Sequence, residues 1–187
     1  DGHTAGGPIR WVHHAGVGYV ILSNPARVEA RAESRKGSWR RISNSQAADP
    51  VEKQVFSAWI DHGPQPRDKS CAWLVLPGTD AAACGRMADN HGFIVIRNDP
   101  AIQALLQPEL NLLGAVFHQP GEFEANGISL AADQPAIVLV ASSDGRPRIL
   151  VGDPLQQANQ ITVTVNGRPL TAVMEPDDLL GRAVPAT

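Results

Sequence analysis

An acid and a histidine, Asp61 and His62, stand side by side within residues 56–78, which read FSAWIDHGPQPRDKSCAWLVLPG. A hydrolytic triad needs a nucleophile within hydrogen-bond reach of its histidine and a carboxylate that orients the other ring nitrogen. A chain neighbour seldom provides that orientation, and the sequence has no serine in a G-x-S-x-G motif. Pro64 and Pro66 cannot donate hydrogen bonds to a sheet. We therefore predict that the pair lies in a solvated loop and has no catalytic role.

Two adjacent histidines, His13 and His14, have the residue type of a metal site but not its spacing. Successive residues of a strand point to opposite faces, so the two rings cannot bind one ion in regular structure. We expect one inward histidine with a hydrogen bond. Asp177 and Asp178 are too few acids for a calcium loop, and GVG at 16–18 lacks the third glycine of a dinucleotide site. No metal site is predicted.

Aromatic and basic residues offer the best candidate binding site. The alternating pattern around the tryptophans predicts that most of them belong to the core, and the four are Trp11, Trp39, Trp59 and Trp73. Trp39 is the best candidate for exposure, and Arg40 and Arg41 follow it directly. Arginines beside an aromatic ring suit an acidic polysaccharide, which they would bind through charge-assisted hydrogen bonds. Of the two interpretations of these three residues, an ordinary solvated strand end is favoured over a binding site.

The composition predicts a globular chain of one or two domains. The 187 residues are 43% hydrophobic and 19% charged, with a formal charge of −3 and scattered Lys and Arg. No basic stripe suits a nucleic acid, and no apolar run is long enough for a membrane span. The start, DGHTAGGPIR, lacks an initiator Met and a secretion pattern, so we expect a processed product or a piece of a longer chain. Cys71 and Cys84 fit one disulfide or two buried thiols.

Short runs with period-two alternation, each bounded by Gly, Pro, Asn or Asp, predict an all-β chain of antiparallel sheets. The run CAWLVL at 71–76 is apolar at nearly every position, which predicts a strand inside the core. The predicted strands are 10–14, 18–22, 26–34, 38–42, 54–60, 71–77, 92–98, 111–118, 127–132, 135–142, 147–153, 160–166 and 169–175.

The connections have their own signals. Asp144–Gly145 and Asn166–Gly167 are pairs that tolerate positive φ, and each predicts a tight hairpin turn. Residues 99–111 fit either a strand or one turn of helix, because Pro108 ends a helix quickly. The small and polar residues of 78–92 predict a linker between two all-β units.

Several stretches stand in the order and rough spacing seen in the carboxy-terminal half of polysaccharide lyase family 8, which the chain therefore resembles. That family includes hyaluronate, chondroitin AC and xanthan lyases. The stretches are WVHHAGVGY (11–19), GSWRRISN (37–44), FSAWIDHG (56–63), AWLVLPG (72–78), IVIRN (94–98), GAVFHQPG (114–121), PAIVLVA (135–141) and VGDP (151–154).

The resemblance implies a domain plan. Such enzymes have an amino-terminal α/α toroid, a large central antiparallel β-sandwich and a smaller carboxy-terminal antiparallel β domain. On this basis residues 1–79 are expected to form the end of the central sandwich, 80–91 a linker, and 92–187 the terminal domain.

The resemblance also implies a function. The family eliminates across a glycosidic bond of a uronic-acid polysaccharide, here with hyaluronan or chondroitin favoured, and needs no redox or organic cofactor. Its catalytic Asn, His, Tyr and Arg belong to the toroid, and none maps onto this sequence; Tyr19 matches a structural position. We therefore expect a secreted, non-catalytic β portion whose partners are an amino-terminal catalytic part and an acidic polysaccharide. A freestanding carbohydrate-binding sandwich and a structural or adhesive sandwich are the alternatives.

Overall fold

The computed structural model describes residues 9–22, 27–125, 127–143, 146–174 and 183–187. The chain divides into two units, Asp1–His91 and Gly92–Thr187. Strands of antiparallel sheets dominate both, as the sequence predicted, and the all-β fold class is confirmed. No helix within the described ranges is long and apolar enough to cross a membrane.

The first unit contains a three-stranded sheet, a two-stranded ribbon and one helix. The sheet has the order β1-β2-β5, and β3 pairs with β4 to form the ribbon. A short 3₁₀ turn, Trp39–Arg41, follows the first ribbon strand. The elements are β1 (Trp11–His14), β2 (Val17–Ile21), β3 (Arg27–Gly37), β4 (Val51–Asp61), β5 (Trp73–Pro77) and α1 (Ala81–Asp89).

The two faces of the three-stranded sheet have different neighbours. Ala15 and Gly16, with φ of 49° and 79°, form the tight turn that joins β1 to β2. Gly18 and Val20 alternate onto the face that α1 covers, where Cys84 is fully buried. Tyr19 lies on the opposite face, which is directed towards the ribbon. The first unit is therefore layered as helix, sheet and ribbon.

The segment 80–91, which was predicted as a linker, contains the helix α1. Asp80 caps its first turn, because its Oδ1 accepts a hydrogen bond of 2.7 Å from the backbone N–H of Ala83. Ala81, Ala82 and Ala83 have the highest helix propensity of any residue type. Small residues that suit a linker by composition therefore form a helix that packs on β1 and β2.

Three predictions in the first unit are wrong. Residues 38–42 were predicted as a strand, but Trp39–Arg41 is a 3₁₀ turn. β5 was predicted inside the core, yet it ends the sheet, with Trp73 52% and Val75 50% exposed. Most of the four tryptophans were predicted to belong to the core, yet three are exposed, because Trp39 at 58% and Trp59 at 37% join Trp73. An apolar pattern shows which side chains favour burial, but it does not show which part of a chain covers them.

The second unit packs a six-stranded sheet, β15-β12-β11-β8-β7-β6, with a four-stranded sheet, β14-β13-β10-β9. A single core cluster draws on both sheets and includes Leu113, Phe117, Leu130, Val138 and Ile161. The strands are β6 (Ile94–Asn98), β7 (Ile102–Gln107), β8 (Leu112–Phe117), β9 (Gly121–Ala125), β10 (Ile128–Ala132), β11 (Ala136–Ser143), β12 (Arg146–Gly152), β13 (Gln160–Val165), β14 (Arg168–Val173) and β15 (Val184–Pro185).

The turns of the second unit follow the predictions where they are described. Asn166 and Gly167, with φ of 49° and 77°, form the predicted hairpin turn between β13 and β14. The segment 99–111 contains both alternatives, since β7 is followed by a 3₁₀ turn at Pro108–Leu110. β9 was not predicted. The Asp144–Gly145 turn, Asp177 and Asp178 lie outside the described residues.

Candidate functional site

The loop that joins the two ribbon strands, residues 38–50, carries the candidate binding residues and is called the hairpin tip below. The strands that lead to it are 11 residues long each, and Gly37 opposite Val51 is their last pair. Backbone hydrogen bonds hold the tip: Ile42 and Ser43 each donate to the carbonyl of Trp39 at 3.0 Å. Arg40 donates to the carbonyl of Ala47 at 3.2 Å. The tip is thus a folded loop at the end of a long ribbon.

The apolar side chains of the hairpin tip face solvent. Trp39 is 58% exposed, as predicted, and Ile42 is 80% exposed. Residues three apart are eclipsed in a 3₁₀ turn, so Trp39 and Ile42 lie on the same side of the loop. The tip therefore presents a small apolar strip to solvent.

Arg40 and Arg41 flank this strip and are both exposed. The Nε of Arg40 donates to the carbonyl of Gln46 at 3.2 Å, which braces the loop. Within the described ranges, neither arginine forms a salt bridge. Residues 33–53 contain five basic and three acidic residues, so they carry +2 in a chain of formal charge −3. The tip and its approaches are a basic region of an acidic chain.

The structure gives Asp61 and His62 different environments. The Oδ1 of Asp61 accepts a hydrogen bond of 2.8 Å from the backbone N–H of Gly63, which has a φ of 80°. This is an aspartate-stabilised turn at the end of β4. His62 lines a groove together with Cys71. The side chain of Asp61 therefore stabilises a turn, which is a structural role.

His13 and His14 also have separate partners, in line with their predicted opposite directions. The Nε2 of His13 lies 3.0 Å from the carbonyl oxygen of Thr79. The ring of His14 stacks on Phe56 with 4.4 Å between centroids and 10° between planes. Across the described part of the chain, no three His, Cys, Asp or Glu residues are placed to hold a metal ion.

A groove of about 670 Å³ runs between the three-stranded sheet and the ribbon and is called the inter-sheet groove below. One wall comes from the sheet and includes Tyr19, Ile21 and Trp73, and the other comes from the ribbon and includes Val28, Phe56 and Ile60. Sequence reasoning missed it, because alternation identifies apolar faces without showing how far two faces cover each other. Its walls suit packing against apolar groups.

Among the residues that the structure describes, the two carboxyl groups with a shifted pKa, Asp99 and Asp153, lie in the second unit. The backbone N–H of Ile102, helped by Arg97 and Ala101, holds the pKa of Asp99 below its usual range. Burial raises the pKa of Asp153, but hydrogen bonds from the backbone N–H groups of Ala158 and its neighbours outweigh burial and lower it. Both carboxylates therefore stabilise loops as anions.

Comparison with known families identifies the two units. Residues 2–88 match the super-sandwich domain of polysaccharide lyase family 8, and residues 94–162 match the C-terminal beta-sandwich domain of the same family. The chain belongs to polysaccharide lyase family 8. The resemblance read from the sequence is thereby confirmed.

Relatives within family 8 are much longer than this chain. It is 38% identical to a hyaluronate lyase of Thermasporomyces composti over 90% of its own length and 21% of the relative's. It is 30% identical to the chondroitinase-AC of Pedobacter heparinus over 83% of its length and 22% of that enzyme's. A chondroitinase AC lyase studied as enzyme–oligosaccharide complexes superimposes with a TM-score of 0.81 and 26% identity, covering 99% of this chain and 28% of the enzyme.

The chain corresponds to only part of its family 8 relatives. The match covers only the carboxy-terminal β domains of the family. The chain spans about a fifth of the full length of these relatives. Tyr19 lies in the inter-sheet groove with its ring 6.4 Å from that of Phe56, an aromatic packing position.

Proposed function

We propose that this chain is the carboxy-terminal, non-catalytic β portion of a secreted polysaccharide lyase. The enzyme would cleave a uronic-acid polysaccharide, with hyaluronan or chondroitin favoured, by β-elimination. The relatives at 38% and 30% identity are a hyaluronate lyase and a chondroitinase, which supports this choice of substrate. A catalytic α/α toroid would be carried on another part of the same polypeptide, and the β portion would support it. No redox or organic cofactor takes part.

The observation that supports this proposal most directly is the incomplete cover of the first unit. Trp73 and Val75 stay half exposed beside the inter-sheet groove, because the two-stranded ribbon covers only part of the sheet. Burying an exposed half of a tryptophan contributes on the order of 2 kcal/mol, at about 25 cal/mol per Å² of apolar surface. Further β structure of the same polypeptide would recover this free energy. A supporting role follows, since the sandwich is completed by the polypeptide that carries the toroid.

In the proposed enzyme, the toroid would carry out the chemistry and the β portion would have a structural role. β-Elimination removes the proton alpha to the uronate carboxylate, which needs a group that neutralises the carboxylate, a base and an acid. Asp61 is engaged in a turn, His14 in a ring stack and Tyr19 in aromatic packing. The β portion would therefore contribute stability and position to the enzyme.

The proposal is tested by assaying two proteins against hyaluronan, chondroitin and xanthan. The first is this chain alone and the second is the longest polypeptide encoded in frame with it, and the readout is the ultraviolet absorbance of the unsaturated uronide product. We expect activity from the longer polypeptide and none from this chain. Cleavage by this chain alone, or a longer polypeptide without activity on any uronic-acid polysaccharide, would overturn the proposal.

A further inference from the structure

We propose that the hairpin tip, residues 38–50, is a binding site for the acidic polysaccharide, in which Trp39 packs on a sugar ring and Arg41 binds its anionic group. The substrate class rests on the proposed function. The site itself rests on three observations: the tip is preorganised, its apolar strip is exposed, and its arginines have no acidic partner among the described residues.

The tip needs little ordering in order to bind. Besides the bonds to the carbonyl of Trp39, the N–H of Gln46 donates to the carbonyl of Ser43 at 3.0 Å. The hydroxyls of Ser43 and Ser45 lie 3.0 Å apart. A loop fixed in this way avoids much of the entropy loss that a mobile loop suffers on association. Trp39 is therefore presented on a stable support.

The apolar strip has the shape of a sugar platform. Trp39 and Ile42 are exposed at the end of a ribbon and share one side of the loop. An indole ring offers a large, flat apolar face with a polar N–H at its edge, which suits a sugar ring whose faces carry C–H groups and whose rim carries hydroxyls.

Acidic residues of the ribbon pair with other basic residues, and the basic residues of the hairpin tip outnumber its acidic ones. Arg35 pairs with Glu33, and Lys36 pairs with Glu52 at 3.4 Å. Asp49 is the one acid within 38–50, against Arg40 and Arg41. Arginine binds a carboxylate or sulfate through charge-assisted, often bidentate hydrogen bonds. Arg40 and Arg41, which follow Trp39, are thus suited to bind the carboxylate that each uronic acid of the polymer carries.

Arg41 is better placed than Arg40 to bind the polymer. Arg40 uses both its backbone N–H and its Nε to hold the loop, through Ala47 and Gln46. Changing Arg40 would therefore disturb the support together with the charge. Variants of Trp39 and Arg41 separate binding from loop structure.

The experiment measures retardation of this chain in native gels that contain hyaluronan or chondroitin sulfate, with dextran as a neutral control polymer. The test variants are Trp39→Ala and Arg41→Glu. Trp73→Ala is the matched control for an exposed tryptophan, and Arg168→Glu, at an exposed position of the second unit, is matched for the change in charge. Circular dichroism spectra first establish that each variant is folded.

We expect retardation of the parent chain by the acidic polymers only, and binding that weakens as salt is added. Each tip variant should bind about tenfold more weakly, as expected for the loss of one charged hydrogen bond or one buried aromatic contact. The two control variants should bind like the parent chain.

A parent chain that is not retarded, or tip variants that bind as well as the parent, would overturn the site. Equal losses from Trp73→Ala and Trp39→Ala would overturn it in favour of the inter-sheet groove. If the tip instead docks on another part of a longer polypeptide, the parent chain will not be retarded. Retardation in the gel does not require lyase activity. A negative result in the gel would therefore overturn the binding site but leave the proposed function standing. Only the cleavage assay tests the proposed function.

Discussion

Gly18 lies directly against the sulfur of Cys84, and no Cβ atom would fit between them. A Cβ built on Gly18 would overlap the Sγ of Cys84 and would lie 2.9 Å from the Cγ2 of Thr79. Cys84 is fully buried, so its side chain has no free space into which it can move. The helix α1 therefore reaches the sheet only because position 18 has no side chain.

This packing predicts that Gly18→Ala destabilises the first unit by about 1–3 kcal/mol, the usual cost of overpacking a core. Gly37 in β3 is the matched control, because a Cβ there has no neighbour within 4 Å, and Gly37→Ala should change stability by less than about 0.5 kcal/mol. Urea unfolding followed by tryptophan fluorescence measures this unit, since all four tryptophans lie in it.

The double variant Gly18→Ala, Cys84→Ala gives the sharper test of the same contact. Removing the sulfur removes the overlap, so the double variant should be less destabilised than the sum of the two single variants. Additive free energies would show that the cost at position 18 has another origin.

Local signals in the sequence predicted most of the strands, because alternation and turn residues act over a few neighbours. Asn166–Gly167 is the clearest case, since few residue pairs other than these tolerate two successive positive φ angles. The exposure of Trp39 was predicted from its polar surroundings. Packing between distant elements was not predictable in this way. Trp73 lies in an apolar run that is typical of a core strand. Its exposure, however, depends on which other strands cover β5, and the sequence of β5 does not specify them.

The same limit explains the missed helix. Gly78 and the polar residues after α1 suggested a linker, whereas the packing of Cys84 on Gly18 depends on two segments far apart in the sequence. The contact that decides the position of α1 is long-range. The local signal for the start of the helix was Asp80, a residue type that favours the N-cap position. In the structure it accepts the capping hydrogen bond from Ala83.

The turn at Asn166 predicts a graded series of stabilities. Its Oδ1 accepts a hydrogen bond of 2.8 Å from the N–H of Ser129, and its own N–H donates to the carbonyl of Ser129 at 2.9 Å. Asn166→Gly removes the side-chain acceptor but keeps an easy positive φ, and should cost about 1 kcal/mol. Asn166→Ala adds backbone strain and should cost about 1 kcal/mol more.

Far-UV circular dichroism during urea unfolding measures this series, because the second unit contains no tryptophan. Asn166→Asp is the control that keeps an acceptor oxygen and should be the mildest of the three. An alanine variant as stable as the glycine variant would contradict the role of the backbone angle.

Two thiols are predicted for Cys71 and Cys84, because the structure contains no disulfide between them. Protein unfolded in denaturant without reductant should react with Ellman's reagent at both cysteines. In the native protein Cys84 should react far more slowly than in the unfolded state, since its side chain is fully buried between α1 and β2. Reaction of neither cysteine in the unfolded protein would show a disulfide and contradict the structure.

Asp153 predicts how the stability of the second unit depends on pH. Its carboxylate accepts backbone hydrogen bonds from Leu155 at 2.8 Å, Gln157 at 2.6 Å and Ala158 at 2.7 Å. These bonds outweigh burial and lower its pKa from the usual 3.8. A lowered pKa in the folded state means that the unfolded chain binds the proton more tightly. The contribution of Asp153 is therefore complete well above pH 3.8, declines as the pH falls through 3.8, and is lost below its lower folded pKa.

Asp153→Asn isolates this contribution, because an amide presents one acceptor oxygen and turns its NH₂ group towards backbone donors. At neutral pH the variant should be less stable than the parent by about 1–2 kcal/mol. The difference in unfolding free energy should stay constant down to about pH 5 and shrink as the pH falls through the unfolded pKa of 3.8. Far-UV circular dichroism of urea unfolding across this range measures it. A difference that stays unchanged into strong acid would show that steric fit, and not the negative charge of Asp153, holds the loop at 153–158.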